Sequence, residues 1–326
     1  MNRPRVGFLG TGWIGRHRME AMLATGLIEA VAIADPSPEM AAQAHALAPG
    51  AALVETLDAM LALSLDGVVI ATPSALHADQ SIRALQGGAA VFCQKPLGRS
   101  ADEAAQVVGA AQAADRLLSV DFSYRFTTGM MTVAEQVRSG ALGHVHTVDL
   151  VFHNAYGPDK PWFYDRAQSG GGCVMDLGVH LVDLALWTLG FPQVVAVTSH
   201  LFAQGQPRAG EHVEDFALAT ITLATGTAIR LACSWRAHAG CDADISAAFY
   251  GTAAGARFRN VGGSFYDFAA EFHRGTGSQT LASPPDSWGG RAARDWARRL
   301  AHGARYDPAC ADLVIISDVI DRIYAG

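Results

Sequence analysis

"RVGFLGTGWIGRHRMEAM" (Arg5–Met22) is the stretch on which the fold turns. It opens with a short apolar run, Val6 to Leu9, that reads as a buried strand. Gly10, Gly12 and Gly15 follow with G-x-G-x-x-G spacing, and a helical segment, "RHRMEAMLAT", comes directly after them. Each glycine has its own physical role, the first permitting a tight turn, the second close approach of backbone to a pyrophosphate, and the third close packing of helix on strand. The start of the helix offers unpaired N–H groups and the positive end of a dipole to the phosphates. On this reading Gly10, Thr11, Gly12, Trp13, Ile14 and Gly15 form a dinucleotide cradle, with the Trp13 ring available to pack on the cofactor.

The next apolar strand, "EAVAIAD", ends at Asp35, twenty residues after Gly15. A carboxylate at that place accepts hydrogen bonds from the adenosine ribose hydroxyls. The residues that follow, "PSPEM", hold no Arg or Lys for a 2′-phosphate, so NAD is expected in preference to NADP. Strand–helix alternation continues through "DGVVIAT" (66–72), a helix over 75–87, "AAVFCQ" (89–94), a helix over 100–115 and "LLSVDF" (117–122). That order predicts a doubly wound parallel sheet, a Rossmann domain over 1–123. Ligands in such sheets sit off the carboxyl ends of the strands. The loops there add Thr72, Pro73, His77, Gln94 and Lys95 to the expected cofactor residues. Lys95 directly follows an apolar strand and precedes Pro96, which stiffens the loop, so a functional role is expected of it.

A second stretch, "GGGCVMDLGVHLVDLALWTLG" (170–190), reads as a buried helix except for Asp176, His180 and Asp183. Burying such groups without partners costs several kcal/mol, so they are either paired or turned to a cavity. Asp176 and His180, four residues apart, share one helical face, and two ionisable groups facing a cleft can pass a proton. Asp183 is expected to orient its neighbours or to be structural. The preceding "SGGG" is expected to let backbone approach a ligand closely. Tyr124, Arg125, Trp162 and Tyr164 are the further candidates for substrate contact.

Taken together, "GFLGTGWIGRHRMEAM", "ATPSALHADQSIRALQGGAAVFCQKPL", "SYRF" and the 170–190 helix resemble the Gfo/Idh/MocA oxidoreductases, in that family's order and over almost the whole chain. The resemblance implies an N-terminal Rossmann domain and a C-terminal α/β domain with a large, mostly antiparallel open sheet. It also implies hydride transfer between a nicotinamide and a hydroxyl or carbonyl carbon of a sugar, cyclitol or related polyol. The family's E-K-P and D-x-G-x-H signatures map onto Gln94-Lys95-Pro96 and Asp176-Leu177-Gly178-Val179-His180, making Lys95, Asp176 and His180 the implied catalytic group. Gln94 departs from the family glutamate. It removes an anion beside the ammonium, which disfavours the protonated lysine.

The rest of the chain bounds the answer. Its 326 residues allow two domains, the second over 124–326, with mostly strands at 194–203, 214–224, 227–237, 245–251 and 256–260 and helices near 288–302 and 309–324. "FALATITLA" is apolar or small on both faces, which points to a homodimer or homotetramer through the C-terminal sheet. A net charge of -7 without a basic run argues against nucleic acid. Five scattered cysteines with no CxxC pair fit free thiols in the cytoplasm. The uncharged run 184–203 is broken by Gly190 and Pro192, so no membrane span is expected. His144, His146 and His153 lack a carboxylate or cysteine to complete a site, so no metal is expected. Two rival functions share these motifs. One is a dinucleotide sensor without turnover, which need not keep all three proton-handling groups; the other is a lyase or glycosidase that reduces and reoxidises NAD in each turnover.

Overall fold

Strand β1 (Arg5–Leu9) is buried from Val6 onward and lies in the middle of a parallel sheet, so its apolar run is used on both faces. The computed structural model describes residues 3–326. After β1 the chain alternates α1 (Trp13–Leu23), β2 (Glu29–Ala34), α2 (Pro38–His45), β3 (Ala52–Leu53), α3 (Leu57–Leu61) and β4 (Gly67–Ile70). It continues through α4 (His77–Gln86), β5 (Ala90–Cys93), α5 (Ala101–Ala114) and β6 (Leu118–Val120). All pairings in this sheet are parallel, in the order β3-β2-β1-β4-β5-β6. The strand order reverses between β1 and β4, and the crevice off the carboxyl ends at such a switch point is where ligands bind. Local chemistry sets the helix starts: Ser37, Thr56 and Ser100 each accept a backbone N–H three residues on.

The second part of the chain carries α6 (Thr128–Arg138), β7 (Val145–Asn154), α7 (Arg166–Ser169) and a π-helical turn, Val174–Gly178, that runs into α8 (Val179–Leu189). Eight strands follow: β8 (Val194–Ala203), β9 (Gln206–Pro207), β10 (Phe216–Leu223), β11 (Ala228–Ser234), β12 (Ala243–Gly251), β13 (Gly255–Asn260), β14 (Phe268–Arg274) and β15 (Gly277–Ala282). With β7 they form a nine-stranded sheet, β15-β14-β13-β12-β7-β11-β10-β8-β9, antiparallel except for the β7–β11 pair. One face is apolar and buried, with Ala217, Ala219 and Ile221 of β10, Ile229, Leu231 and Cys233 of β11 and Leu150 and Phe152 of β7. Helix α8 packs on β7, and α6 on β13 and β14. The other face leaves Leu218, Thr220, Arg230 and Tyr250 exposed. The uncharged run 184–203 is the end of α8, a turn with Gly190 at φ +79, and β8. Strands β14 and β15 were not expected from the sequence. β15 is an edge strand whose first four residues are exposed, so it lacks the buried alternation that marks a strand.

Helices α9 (Arg291–Ala301) and α10 (Ala311–Ala325) end the chain, and α9 corrects the expected domain division. The structure separates into two compact units, one of the described residues up to Ser123 with Gly290–Val314, the other of Tyr124–Gly289 with Ile315–Gly326. Residues 124–326 are therefore not one continuous domain. The physical reason is Trp296 of α9, 1% exposed, whose ring centroid lies 5.9 Å from that of Phe92 in β5. Gly67 of β4 makes room for it, since a Cβ there would stand 2.7 Å from the Trp296 ring.

Candidate active site

At the carboxyl end of β1 the three glycines serve different ends. Gly10 has φ +82, and a Cβ on it would lie 2.5 Å from the Ala71 carbonyl oxygen. A Cβ on Gly15 would lie 2.1 Å from the Gly10 carbonyl oxygen, so α1 reaches the loop only because Gly15 is bare. Gly12 is different: a Cβ there would meet nothing within 4 Å, and no side chain caps the start of α1. Bare backbone next to open space, at an uncapped helix start, is a cradle for an anion such as a pyrophosphate. Thr11 is fully buried, Ile14 half-buried, and Trp13 is 57% exposed and stacks on His17 at 5.8 Å.

Asp35 follows β2, half-buried. Its Oδ2 accepts from the Thr11 backbone N–H at 2.5 Å, and its Oδ1 from the Ser37 N–H at 2.9 Å. The carboxylate thus braces the glycine loop, while the cap of α2 falls to Ser37. Thr72 and Pro73 are half-buried after β4, and the Thr72 hydroxyl donates to Gln80 Oε1 at 2.6 Å. His77 is placed elsewhere than at a ligand surface. It is 1% exposed, with Nδ1 2.6 Å from the Pro96 carbonyl and Nε2 2.7 Å from that of Thr72. Burial lowers its pKa from the ordinary histidine value. Its work is to tie the loop after β4 to the loop that carries Lys95. Lys95 itself is half-buried just past β5, and the amide of its neighbour Gln94 is turned onto Asp121.

In the second unit the helix bearing Asp176 and His180 begins in the interior, where its first N–H groups need partners. Cys173 supplies no side-chain cap. Glu214, fully buried just before β10, does so from a distance: its carboxylate accepts from the N–H of Gly172 at 3.0 Å and of Val174 at 2.9 Å, and its carbonyl from that of Cys173 at 3.0 Å. Tyr324 of α10 completes the set, accepting from the Met175 N–H at 3.1 Å and donating to Glu214 at 2.8 Å. This corrects the reading of the glycine run. A Cβ on Gly171 would stand 2.0 Å from the Tyr324 hydroxyl and one on Gly172 1.9 Å from the Glu214 carbonyl oxygen, so the glycines admit these residues and not a ligand.

Asp176 lies in the π-helical turn, and from Gly171 to Leu186 it is the one residue that is not buried. Trp235, buried just past β11, donates from Nε1 to its Oδ2 at 3.0 Å. His180 is 8% exposed, and the Tyr124 ring stands edge-on to it at 4.9 Å. Tyr124 is itself stacked on Trp288 at 5.1 Å. Burial, and then the Asp176 charge, push the Tyr124 hydroxyl well above the ordinary tyrosine range. Tyr164 packs its ring on Trp235 at 5.5 Å, which brings it into the surroundings of Asp176, whereas Trp162 stacks on Phe163 at 3.8 Å.

Arg125 is held in an ion pair. Its guanidinium grips Asp183, with Nε 2.9 Å from both carboxylate oxygens, and lies over the Trp187 and Phe191 rings. Asp183 is buried, which raises its pKa against the opposing pull of Arg125. Among the described residues no group of three or more His, Cys, Asp or Glu gathers as for a metal ion. His153 bonds Ser234 at 2.7 Å. Trp235, Glu214 and Tyr324 were missed as functional residues: Trp235 reads as one more apolar residue of a buried face, and the other two carry no local signal.

A parallel sheet with a glycine cradle at its switch point is a dinucleotide-binding fold, and the comparisons with known proteins agree. The family model of the oxidoreductase family with an NAD-binding Rossmann fold matches residues 4–122, and that of the GFO/IDH/MocA C-terminal domain matches 130–257. The chain belongs to the Gfo/Idh/MocA family of oxidoreductases. It is 29% identical to D-glucoside 3-dehydrogenase of Escherichia coli (strain K12), over 77% of this chain and 76% of that protein. It is 33% identical to inositol 2-dehydrogenase of Rhizobium meliloti (strain 1021), over 60% of this chain and 57% of that protein. The fold superposes on levoglucosan dehydrogenase, solved with NADH and levoglucosan, with TM-score 0.85 and 22% identity over 99% and 97% of the chains.

Burial raises the Glu214 pKa above the ordinary glutamate value against the N–H bonds that favour its charge. A carboxylate raised in the folded state binds its proton more tightly there than in the unfolded chain. Its contribution to stability is fully present below the unfolded value and is lost as pH rises through the folded one. Urea unfolding of wild type and Glu214→Gln at pH 7 and pH 5 should therefore show the wild type gaining on the variant as pH falls. A wild type that loses ground would contradict the assignment.

Proposed function

We propose that the chain is a dehydrogenase or reductase that moves a hydride between a nicotinamide dinucleotide, NAD in preference to NADP, and a hydroxyl or carbonyl carbon of a sugar, cyclitol or related polyol. The observation that carries the reading is Asp176, the sole unburied residue in an otherwise sealed helical stretch, fixed by Trp235 and followed one turn later by His180. A chain that needed only a core helix would not hold a carboxylate there, at the one opening in the stretch and with so specific a donor.

When bound, the dinucleotide supplies the hydride acceptor for oxidation and the donor for reduction. Gly10–Gly15 would hold its pyrophosphate and Asp35 its adenosine ribose. Thr72, Pro73 and Gln94 stay as proposed cofactor contacts. Oxidation of a C–OH group also requires the hydroxyl proton to leave. His180 would take it, since an imidazole ordinarily titrates at about 6.5, near neutral pH. Asp176 would accept from substrate hydroxyls, and the Lys95 ammonium would donate to the reacting oxygen. Tyr164, beside Trp235, is a proposed substrate contact, with Trp162 its neighbour. Levoglucosan, inositol and glucosides, named for the similar proteins, are all polyhydroxylated, which supports this substrate class.

NAD is favoured because the Asp35 carboxylate would repel a 2′-phosphate, and Pro36 to Met40 offer no cation to offset it. Titration with NADH and NADPH, followed by energy transfer from tryptophan, should give NADPH at least about tenfold weaker binding. Asp35→Ala should narrow that ratio. A preference for NADPH in the wild type would contradict the cofactor assignment. The open face of the nine-stranded sheet, with Leu218 and Tyr250 exposed, supports assembly as a homodimer or homotetramer. Light scattering should return at least twice the 34.3 kDa chain mass, and a single-chain mass would contradict this. Five free cysteines support a reducing, cytoplasmic setting.

A further inference from the structure

Two donors converge on one buried oxygen in the first unit. Asp121, just past β6 and 1% exposed, accepts at Oδ2 from Arg18 Nε at 2.6 Å and from Gln94 Nε2 at 2.7 Å. Its Oδ1 has no hydrogen-bond partner among the described residues. Arg18, 5% exposed, belongs to α1, the helix behind the glycine cradle, and Gln94 precedes Lys95 at the end of β5. The cluster therefore joins the cradle helix to the ends of two neighbouring strands. Arg18 Nη1 also meets His17 Nδ1 at 3.0 Å, and partial burial together with the Arg18 charge lowers the His17 pKa, as suits a neutral acceptor.

The charges in this cluster are one cation, one anion and one neutral amide, almost sealed from water. A glutamate at 94 would set a second carboxylate where the amide now donates, at about hydrogen-bond distance from Asp121, with a single guanidinium to serve both. Two carboxylates sharing one buried site cannot both stay ionised without large cost. The residue at 94 must therefore be a neutral donor for as long as 121 is an aspartate.

We propose that Asp121, neutralised by Arg18, is a positioning residue for the dinucleotide site, and that it, rather than residue 94, carries the negative charge braced against the Lys95 turn. Gln94 is then not a weakened version of an acid but the matched partner of one relocated to the next strand. The inference rests on the reading that the glycine cradle holds a nicotinamide dinucleotide.

The test uses the full chain, with NADH affinity and melting temperature measured for wild type, Gln94→Glu, Gln94→Ala, Asp121→Asn and the double variant Gln94→Glu with Asp121→Asn. Gln94→Glu is expected to weaken NADH at least about tenfold. Gln94→Ala removes the donor without adding charge and is expected to fold and weaken it about threefold. The double variant, which moves the acid to 94 and the amide to 121, is expected to return to within about threefold of wild type, a rescue that independent sites would not show. Gln94→Glu binding NADH as wild type does would overturn the proposal. So would a double variant as weak as the product of the single effects, or affinities that merely follow melting temperature. Should Gln94→Glu fail to fold, Gln94→Ala and the double variant decide the matter by the same criteria. Wild-type protein that binds neither NADH nor NADPH would overturn the cradle reading as well, whereas wild-type binding without rescue overturns this inference alone.

Discussion

A helix that starts inside a protein must find acceptors for its first N–H groups, and here four successive ones are met by two residues far along the chain. Leaving a buried donor unmet costs about 1–3 kcal/mol. Four such losses approach the whole stability of a typical domain, about 5–15 kcal/mol. Glu214 and Tyr324 remove that cost for Gly172, Cys173, Val174 and Met175. The helix start is thereby fixed, and with it the π-helical turn that leaves Asp176 unburied and sets His180 one turn on. Gly171 and Gly172 are conditions of the same arrangement, because any side chain on them would occupy the places of Tyr324 and Glu214.

The dinucleotide-binding unit shows the same economy of bare backbone and distant acids. Gly10 and Gly15 are glycines because protein stands where their side chains would be, whereas Gly12 borders open space. Two aspartates serve the region in opposite environments. Asp35 is half-buried and shares its oxygens between the glycine loop and the next turn. Asp121 is sealed and depends on Arg18 and Gln94 for its charge to be tolerable at all. The first braces a loop at the sheet's carboxyl edge, the second ties helix α1 to the end of β5.

What was legible in the sequence was local. The strand, glycine loop and helix over Arg5–Met22 carry their reasons within eighteen residues, and the helix over 170–190 shows in its apolar run. What escaped depended on partners far apart. Glu214 lies 42 residues from Gly172, Tyr324 149 from Met175, and Asp121 103 from Arg18, with no periodicity linking any of these pairs. The partner of Arg125, Asp183, also lies 58 residues on, out of reach of any local pattern. Helix α9 was lost to the wrong domain because only the structure shows Trp296 set against Phe92 and Gly67.

His180 is proposed to handle the hydroxyl proton in a reaction whose hydride goes to a dinucleotide held by the glycine cradle. The most direct measurement is NADH formation at 340 nm with NAD and a panel of sugars and cyclitols, for wild type and His180→Ala, alongside NADH affinity. Wild type should turn over at least one polyol, and the variant should lose about 10²–10⁴-fold in kcat with NADH affinity little changed. A variant that turns over as fast as wild type would contradict that role for His180.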